Sequence, residues 1–356
     1  MKKVLFLALV PLAALGFVLA GSGLSSPPCW SNSPHKVCPP PTTTPPPTTT
    51  TPPPTTTTPP PPPPPGSYAP YGISLGWDTL TRSASAQTQE LDEISAASNG
   101  HRAVVRTDVT ASNFGMVDTW LANVLAHNEE PMLVIFGASG PQTPSAASSL
   151  TTSAATHYLG KVHLYEFVNE PDLGGWTPQN YTAALQAAYV ALKAVDPSAV
   201  MIAGSLWKWK DTAGYRTYDW VEQMYAAGAG GYFDMFSLHL YDDPDARAPS
   251  WNIWDWAFYS TPDGKPNVRQ VMDAHGDSAK PIIATEAGGP VSKYGETGQA
   301  TIVDHDFNHL ASGQIAMLLI YTMRNDVACC QSQGFGLLRD DLSRRPAWYT
   351  MQSHTV

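Results

Sequence analysis

The segment His163–Asp172 reads HLYEFVNEPD and joins an apolar run to an acidic, proline-containing end. A short apolar run that stops at turn residues is typical of a buried strand. The segment Pro281–Glu286, PIIATE, has the same form and also ends in a glutamate. Strand-like runs alternate with helix-like runs from about Tyr68 to Val356, and this alternation predicts a parallel sheet of the α/β class.

Eight strand candidates occur in this region: Gly72–Trp77, Ala103–Asp108, Met132–Phe136, His163–Val168, Val200–Ser205, Met235–Leu240, Pro281–Thr285 and Met317–Thr322. Helix candidates with clear ends lie between some of them: Gln87–Ser98, Pro178–Val195, Tyr218–Ala227 and Asn267–His275. Eight strands with intervening helices over roughly 290 residues predict a (β/α)8 TIM barrel, which typically needs about 250. An open doubly wound sheet is the alternative. That fold often has a Gly-rich phosphate loop after its first strand, and this sequence has none there.

Glutamates end two of the predicted strands. Glu170 closes strand four and Glu286 closes strand seven, and the carboxyl ends of barrel strands meet at one mouth, where catalytic groups lie. Two convergent carboxylates suit the cleavage of a glycosidic bond. One is protonated and gives its proton to the leaving oxygen, while the ionised one attacks or directs a water. Arg106 and Asp108 share the inward face of strand two, so Arg106 is a candidate to keep one carboxylate ionised.

Other acidic residues near these strand ends are interpreted as supporting groups. Glu166 points inward one layer below the glutamate that ends strand four, which indicates a buried ion pair with Arg106 or Arg102. Asp108 and Asp172 are interpreted as loop or supporting carboxylates rather than catalytic ones. No cluster of residues in the sequence has the spacing of a metal site.

The segment Asn169–Pro171 at the end of strand four, together with Thr285–Glu286 at the end of strand seven, resembles glycoside hydrolase clan A. The longer string Tyr165–Leu173, YEFVNEPDL, is most similar to family 39, whose members have Glu, two residues and then Asn-Glu-Pro-Asn/Asp. The resemblance covers Gly72–Tyr349 and includes the late segment Phe335–Leu338.

The resemblance implies a retaining double displacement that needs neither a metal nor an organic cofactor, with Glu170 as acid/base and Glu286 as nucleophile. It also implies supporting roles for four side chains: Asn169 on the sugar 2-hydroxyl, Arg106 and Tyr241 on the nucleophile, and His239 in the subsite where the bond breaks. From the residues alone, a buried structural histidine at 239 and a packing tyrosine at 241 remain open alternatives.

Aromatic residues crowd the predicted mouth. They follow strand one (Trp77), strand five (Trp207, Trp209) and strand six (Trp251, Trp254, Trp256, Tyr259). Sugar rings stack on such side chains, so Trp251 and Trp254 are predicted to contact substrate. The alternative is that the long loop after strand six needs a small core of its own.

Tyr321 on strand eight is predicted to line the sugar site, although clan A enzymes often place a tryptophan there. The chain also stops soon after the last barrel helix, so no C-terminal β-sandwich is expected. An open groove favours an endo-acting enzyme on an oligo- or polysaccharide. A barrel that binds glycan without turnover and a cell-surface transglycosylase are the alternatives. The presence of both glutamates argues against the first of these.

Residues 1–20 are predicted to be a signal peptide, with Lys2 and Lys3 ahead of an apolar run that ends near Leu19. An uncleaved N-terminal anchor is the alternative, because the run is close to membrane-spanning length. After cleavage no later segment is long and apolar enough to span a bilayer. The protein is therefore expected to be secreted or associated with the cell surface or cell wall.

The rest of the chain is divided into a short Cys-flanked segment at 21–38, a Pro/Thr-rich disordered linker at 39–66 and a single catalytic domain at 67–356. Cys29 and Cys38 could close a small disulfide in an oxidising compartment. Cys329 and Cys330 are adjacent, and a disulfide between neighbours is strained, so free thiols are an equal alternative.

The chain has 356 residues, with 30 acidic and 20 basic side chains and a formal net charge of −10. This balance argues against nucleic acid or an anionic membrane as the main partner, since both attract basic surfaces. The 11 tryptophans and 15 tyrosines suit either a large core or a site for a flat apolar ligand face. A monomer is the expected state.

Overall fold

A computed structural model of the chain describes residues 68–207, 216–241, 253–259, 264–327 and 333–356. Eight parallel strands form a closed barrel in sequence order, in which β1 pairs with both β2 and β8. The strands are β1 (Tyr71–Ser74), β2 (Val104–Val109), β3 (Glu130–Ile135), β4 (Leu164–Phe167), β5 (Val200–Leu206), β6 (Met235–Leu240), β7 (Ile282–Ala287) and β8 (Leu318–Tyr321). This confirms the predicted (β/α)8 barrel and excludes the open doubly wound sheet.

Helices surround the barrel. Those among the described residues are α1 (Ala84–Ala97), α2 (Phe114–Ala126), α3 (Pro144–His157), α4 (Pro178–Val195), α5 (Thr217–Ala226), α6 (Ile253–Phe258), α7 (Val268–Ala274), α8 (Val291–Ala311) and α9 (Pro346–His354). The predicted bounds of α4 are confirmed, because Thr177 and Asn180 form a capping box and proline occupies the first helical position.

The predicted first strand is too long. β1 ends at Ser74, and Trp77 begins a short 3-10 helix, Trp77–Thr81, instead of ending a strand. The helix is stabilised by Arg82, which pairs with Asp78 at 2.8 Å and with Glu90 of α1 at 2.5 Å. No local sequence pattern predicts this turn, since the ion pairs that stabilise it join residues from two elements.

Two separate apolar clusters result from the alternation of side chains along the strands. Outward-facing strand residues pack against the helices and form the larger cluster. The smaller cluster fills the amino-terminal part of the barrel interior, and we call it the apolar plug: Val104, Met132, Leu164, Val200, Ile202, Met235, Ile283, Met317 and Leu319. Two residues further along β2 and β4, Arg106 and Glu166 continue the inward face, so the interior becomes polar toward the carboxyl ends.

Several predictions fall on residues outside the described ranges. These are the signal peptide at 1–20, the segment at 21–38, the linker at 39–66, the four cysteines, Trp209 and Trp251. Among the residues that are described, no helix is long and apolar enough to cross a membrane.

Candidate active site

Glu170 and Glu286 meet at the carboxyl end of the barrel, as predicted. Glu286 is on β7, Glu170 follows β4, and one carboxylate oxygen of each lies within 4.8 Å of the other. The Glu286 side chain is 10% exposed and the Glu170 side chain is 20% exposed. Both line a cavity of about 390 Å³ at the barrel mouth. The two acids are thus close together, mostly buried and open to one cavity.

The turn after β4 directs two consecutive side chains into this cavity. In an extended strand, Asn169 and Glu170 would point to opposite faces. Val168 (φ 63°) and Glu170 (φ 47°) adopt left-handed backbone conformations, which break that alternation. The backbone N–H of Asn169 donates to the carbonyl of Gly137 at 2.8 Å and fixes the turn to the end of β3. Backbone strain of this kind is common where side chains must be aimed at a ligand.

Arg106 donates hydrogen bonds to four other side chains of the site. Its Nε donates to Glu166 at 2.5 Å, Nη1 donates to Glu286 at 2.8 Å and to Ser74 at 2.9 Å, and Nη2 donates to Asn169 Oδ1 at 2.6 Å. Burial alone would lower the pKa of Arg106, but the charges of Glu166 and Glu286 outweigh it and raise that pKa above its ordinary value. The guanidinium therefore stays charged and joins β1, β2, β4 and β7.

Glu166 is fully buried below the two acids and forms the buried ion pair predicted for it. Besides Arg106, the hydroxyls of Ser205 and Thr285 donate to its carboxylate. Burial would raise the pKa of Glu166, but the charges of Arg106 and His239 and these hydrogen bonds together lower it. Of the two partners considered, Arg106 is therefore the correct one. Arg102 pairs with Glu130 at 2.5 Å instead.

Both oxygens of Glu286 accept hydrogen bonds from side chains of the site. Arg106 donates to Oε1, and the hydroxyl of Tyr241 donates to Oε2 at 2.6 Å. Burial, together with the neighbouring charge of Glu286, raises the pKa of Tyr241 well above its ordinary value, so its proton remains in place as a donor. These two hydrogen bonds fix the orientation of the Glu286 carboxylate.

Glu170 is held more loosely. Its Oε1 lies 2.8 Å from Nδ1 of His239, a fully buried ring that also lies 3.4 Å from Glu286. Burial would lower the pKa of His239, but Glu286 and Glu170 raise it overall. Nε2 of His239 has no hydrogen-bond partner among the residues that the structure describes. His239 thus bridges the two acids from beneath.

Asn169 and Tyr321 lie at the predicted positions in the cavity wall. Because Arg106 donates to Oδ1 of Asn169, the amide NH2 of Asn169 is left as a donor on a side chain that lines the cavity. The hydroxyl of Tyr321 donates to Asp326 at 3.1 Å, and its ring packs against Phe335 at 5.4 Å between centroids. Tyr321 therefore presents a ring edge or face rather than a free hydroxyl.

The aromatic predictions divide into three outcomes. Trp77 and Trp207 line the cavity and remain 49% and 38% exposed. The prediction for Trp254 is not supported, since its indole is buried and stacks on His309 of α8 at 3.7 Å between centroids. It is part of the larger apolar cluster between the strands and the helices. Trp251 is outside the described residues, and the side chain of Trp256 is not described either.

The sequence did not reveal several contributors to the site. Ser74, Ser205 and Thr285 supply hydroxyls to the network around Arg106 and Glu166. Ser74 and Thr285 have the inward parity of their strands, so parity could have found them. Ser205 has the opposite parity to Val200 and Ile202 and turns inward at a register shift in β5, where its φ is 52°. Asp172 was interpreted only as a loop or supporting carboxylate, and it accepts the backbone N–H of Trp207 at 3.1 Å. The acidic motif after β4 thereby holds the exposed indole at the end of β5.

Glu170, His239 and Glu286 each offer a ligand atom, and these atoms lie within 4.8 Å of one another. Within the described part of the chain, this is the group whose donor set could hold a metal ion. The adjacent Arg106 guanidinium, 2.8 Å from Glu286, already neutralises that carboxylate and would repel a cation. The donor set therefore fits proton transfer and nucleophilic attack better than metal binding.

No protein-family model and no curated protein sequence matches the chain. Solved structures do match it. A family 39 glycoside hydrolase from Bacteroides cellulosilyticus WH2 is 17% identical with a TM-score of 0.61, over 81% of this chain and 64% of its own. The catalytic domain of the major endoglucanase of Xanthomonas campestris pv. campestris is 14% identical with a TM-score of 0.55, over 80% and 93%.

A GH2 β-galacturonidase from Eisenbergiella tayi, bound to galacturonate, is 12% identical with a TM-score of 0.56, over 81% of this chain and 51% of its own. These neighbours are glycoside hydrolases. At such identities the likeness establishes the shared fold, and it agrees with the resemblance to family 39 stated from the sequence. The chain spans less than two thirds of the family 39 and galacturonidase structures.

Proposed function

We propose that this protein is a secreted, retaining glycoside hydrolase that cleaves O-glycosidic bonds within a polysaccharide. The observation that carries the proposal is the pair Glu170 and Glu286, with oxygens within 4.8 Å of each other at the end of one cavity. Retaining enzymes separate their two carboxyl groups by about 5–5.5 Å, whereas inverting enzymes leave about 6.5–9.5 Å for a water. The short separation supports direct attack by one of the acids.

The surroundings of the two acids assign their roles. Glu286, whose two oxygens are fixed by Arg106 and Tyr241, attacks the anomeric carbon while Glu170 donates its proton to the leaving oxygen. This breaks the glycosidic C–O bond and forms a glycosyl ester on Glu286. Glu170 then removes a proton from water, whose oxygen attacks the same carbon and releases Glu286. Two inversions at one carbon retain its configuration.

The exposed tryptophans support an internal cut. Trp77 follows β1 and Trp207 follows β5, which are opposite strands in an eight-stranded barrel, and both line the cavity that contains the two acids. A sugar ring stacked on each indole would place the bond between Glu170 and Glu286 in the middle of a bound chain. This arrangement supports endo-action. Residues 1–20 support export, as the sequence predicts.

The test is a screen of neutral and charged polysaccharides and aryl glycosides with the wild type, Glu170→Ala and Glu286→Ala. Glu222→Gln, an exposed glutamate of α5, is the matched control. We expect losses of about 10³-fold or more in both alanine variants and none in the control. Azide should rescue Glu170→Ala with a retained glycosyl azide and Glu286→Ala with an inverted one.

The other outcomes are equally informative. Variants that match the wild type on a cleaved substrate would show that the acids are misassigned. A second outcome is that the wild type cleaves nothing in the panel, while the Glu170→Gln/Glu286→Gln double variant still binds glycan. That result would show a glycan-binding barrel and not a hydrolase. Products longer than the substrate would identify a transglycosylase, since a sugar then takes the place of water.

A further inference from the structure

Asp108 lies in the cavity wall but has no part in the proposed reaction. It is two residues beyond Arg106 on the inward face of β2, is partly buried and lines the same cavity as Glu170 and Glu286. Gly137 makes the space for it, because a Cβ there would lie 2.5 Å from Asp108 Oδ2. Gly137 also has a φ of 54°, where a side chain is strained. Two features of residue 137 thus keep this carboxylate at the cavity.

The Asp108 carboxylate accepts no hydrogen bond from, and forms no ion pair with, the part of the chain that the structure describes. The nearby Arg106 directs its N–H groups to other partners, as described above. The Asp108 oxygens lie at an open cavity, so their hydrogen-bond donors must come from water or from a ligand. Sugar hydroxyls are donors of the required kind, and vicinal hydroxyls can donate to both oxygens of one carboxylate.

The cavity is also strongly acidic. Four carboxylates line it, those of Asp108, Glu170, Glu286 and Asp326, and Arg106 is the one cation among the described lining residues. Burial of Asp108, together with repulsion from Glu286 and from Glu166 and Asp326, raises its pKa to about 6 despite the opposing effect of Arg106. These carboxylates would repel a further negative charge in the cavity. Among the described lining residues no second cation is present to offset that repulsion.

We propose that Asp108 determines the class of sugar that the site accepts: neutral or amino sugars, whose hydroxyl or ammonium groups donate to its carboxylate, and not uronic acids. This inference rests on the proposed glycosidase function and adds the substrate class to it. The fold does not decide the matter, since a galacturonate-binding enzyme shares the barrel. The decision is made by the charge of the cavity wall.

The test measures binding by titration calorimetry to the full-length Glu170→Gln variant. The probes are oligosaccharides of glucose, xylose, mannose, galactose and glucosamine, compared with oligogalacturonate and oligoglucuronate. We expect the best neutral or amino ligand to bind at least about 100-fold more tightly than either uronate at low salt. In the Asp108→Asn background this ratio should fall at least about tenfold, because amide and carboxylate are the same size but only the carboxylate repels uronate.

Asp118→Asn, on the exposed surface of α2, is the control and should leave the ratio unchanged. The ratio of affinities separates a change in ligand preference from a folding defect, since a folding defect weakens the binding of neutral and acidic ligands alike. Uronates that bind as well as neutral sugars, or an unchanged ratio in Asp108→Asn, would overturn the inference while leaving the hydrolase in place. Failure of every glycan to bind, with no cleavage by the wild type, would overturn the proposed function and this inference with it.

Discussion

The interior of the barrel is filled in two different ways along the same strands. Near their amino ends, the strands contribute the apolar plug, with Val104 on β2 and Leu164 on β4. One pleat further on, the same strands contribute Arg106 and Glu166, both buried and joined at 2.5 Å. Strand parity decides which side chains point inward, whereas height along the strand decides whether they pack or carry charge. The lower half packs apolar side chains, and the upper half presents charged groups to the cavity.

The largest effect is expected from breaking the charged half. Arg106→Met removes the cation and leaves Glu166 buried without its charge partner, which typically costs about 3–5 kcal/mol. We expect this loss in the free energy of unfolding measured with urea, together with loss of cleavage. The double variant Arg106→Met/Glu166→Met should recover most of the stability but none of the activity. Stability equal to the wild type in the single variant would show that the network does not brace the barrel.

A cavity in the apolar plug should affect stability alone. Leu164→Ala removes a fully buried side chain two residues below Glu166 and should cost about 3 kcal/mol in urea unfolding. Because the charged half is left intact, kcat below the melting temperature should stay within about twofold of the wild type. A fall in kcat comparable to that of Arg106→Met would mean that the two halves are not independent.

The smallest expected effect is a gain in the free energy of unfolding, and it depends on pH. The folded-state pKa of Asp108, about 6, lies above its ordinary value of 3.8, so its contribution to stability is complete below pH 3.8 and is lost as the pH rises through 6. Asn does not ionise, so the Asp108→Asn variant does not lose this stability as the pH rises. At pH 7 the variant should therefore be more stable by about 1–2 kcal/mol, and the difference should vanish near pH 4. Thermal melts of both proteins across this range measure it, and a constant difference would contradict the assigned cause.

The sequence was most informative where a single element carries the signal. Apolar runs between turn residues located all eight strands, and Thr177 followed by Pro178 marked the start of α4. Parity alone placed Arg106 and Glu166 inside the barrel and made them candidates to pair. Glu170 and Glu286 followed from the rule that strand ends converge at one mouth.

What the sequence could not supply depends on distances between elements. Trp254 was as plausible a sugar platform as Trp207 until the fold placed one against α8 and the other beside the cavity. The space for Asp108 is created by Gly137 in the turn after β3, and no periodicity relates the two residues. The left-handed conformation of Val168 was equally invisible, since valine disfavours it and only the surrounding turn enforces it.

Arg106 also has a consequence for how this barrel could diverge. It fixes the proposed nucleophile, but its bond to Glu166 and its links to Ser74 and Asn169 are independent of any reaction. A descendant that gave up catalysis could replace Glu286 and still need Arg106 to hold its strands together. In a set of such descendants, the arginine would persist after the nucleophile had gone. Its presence would then mark common ancestry and an intact barrel rather than an active enzyme.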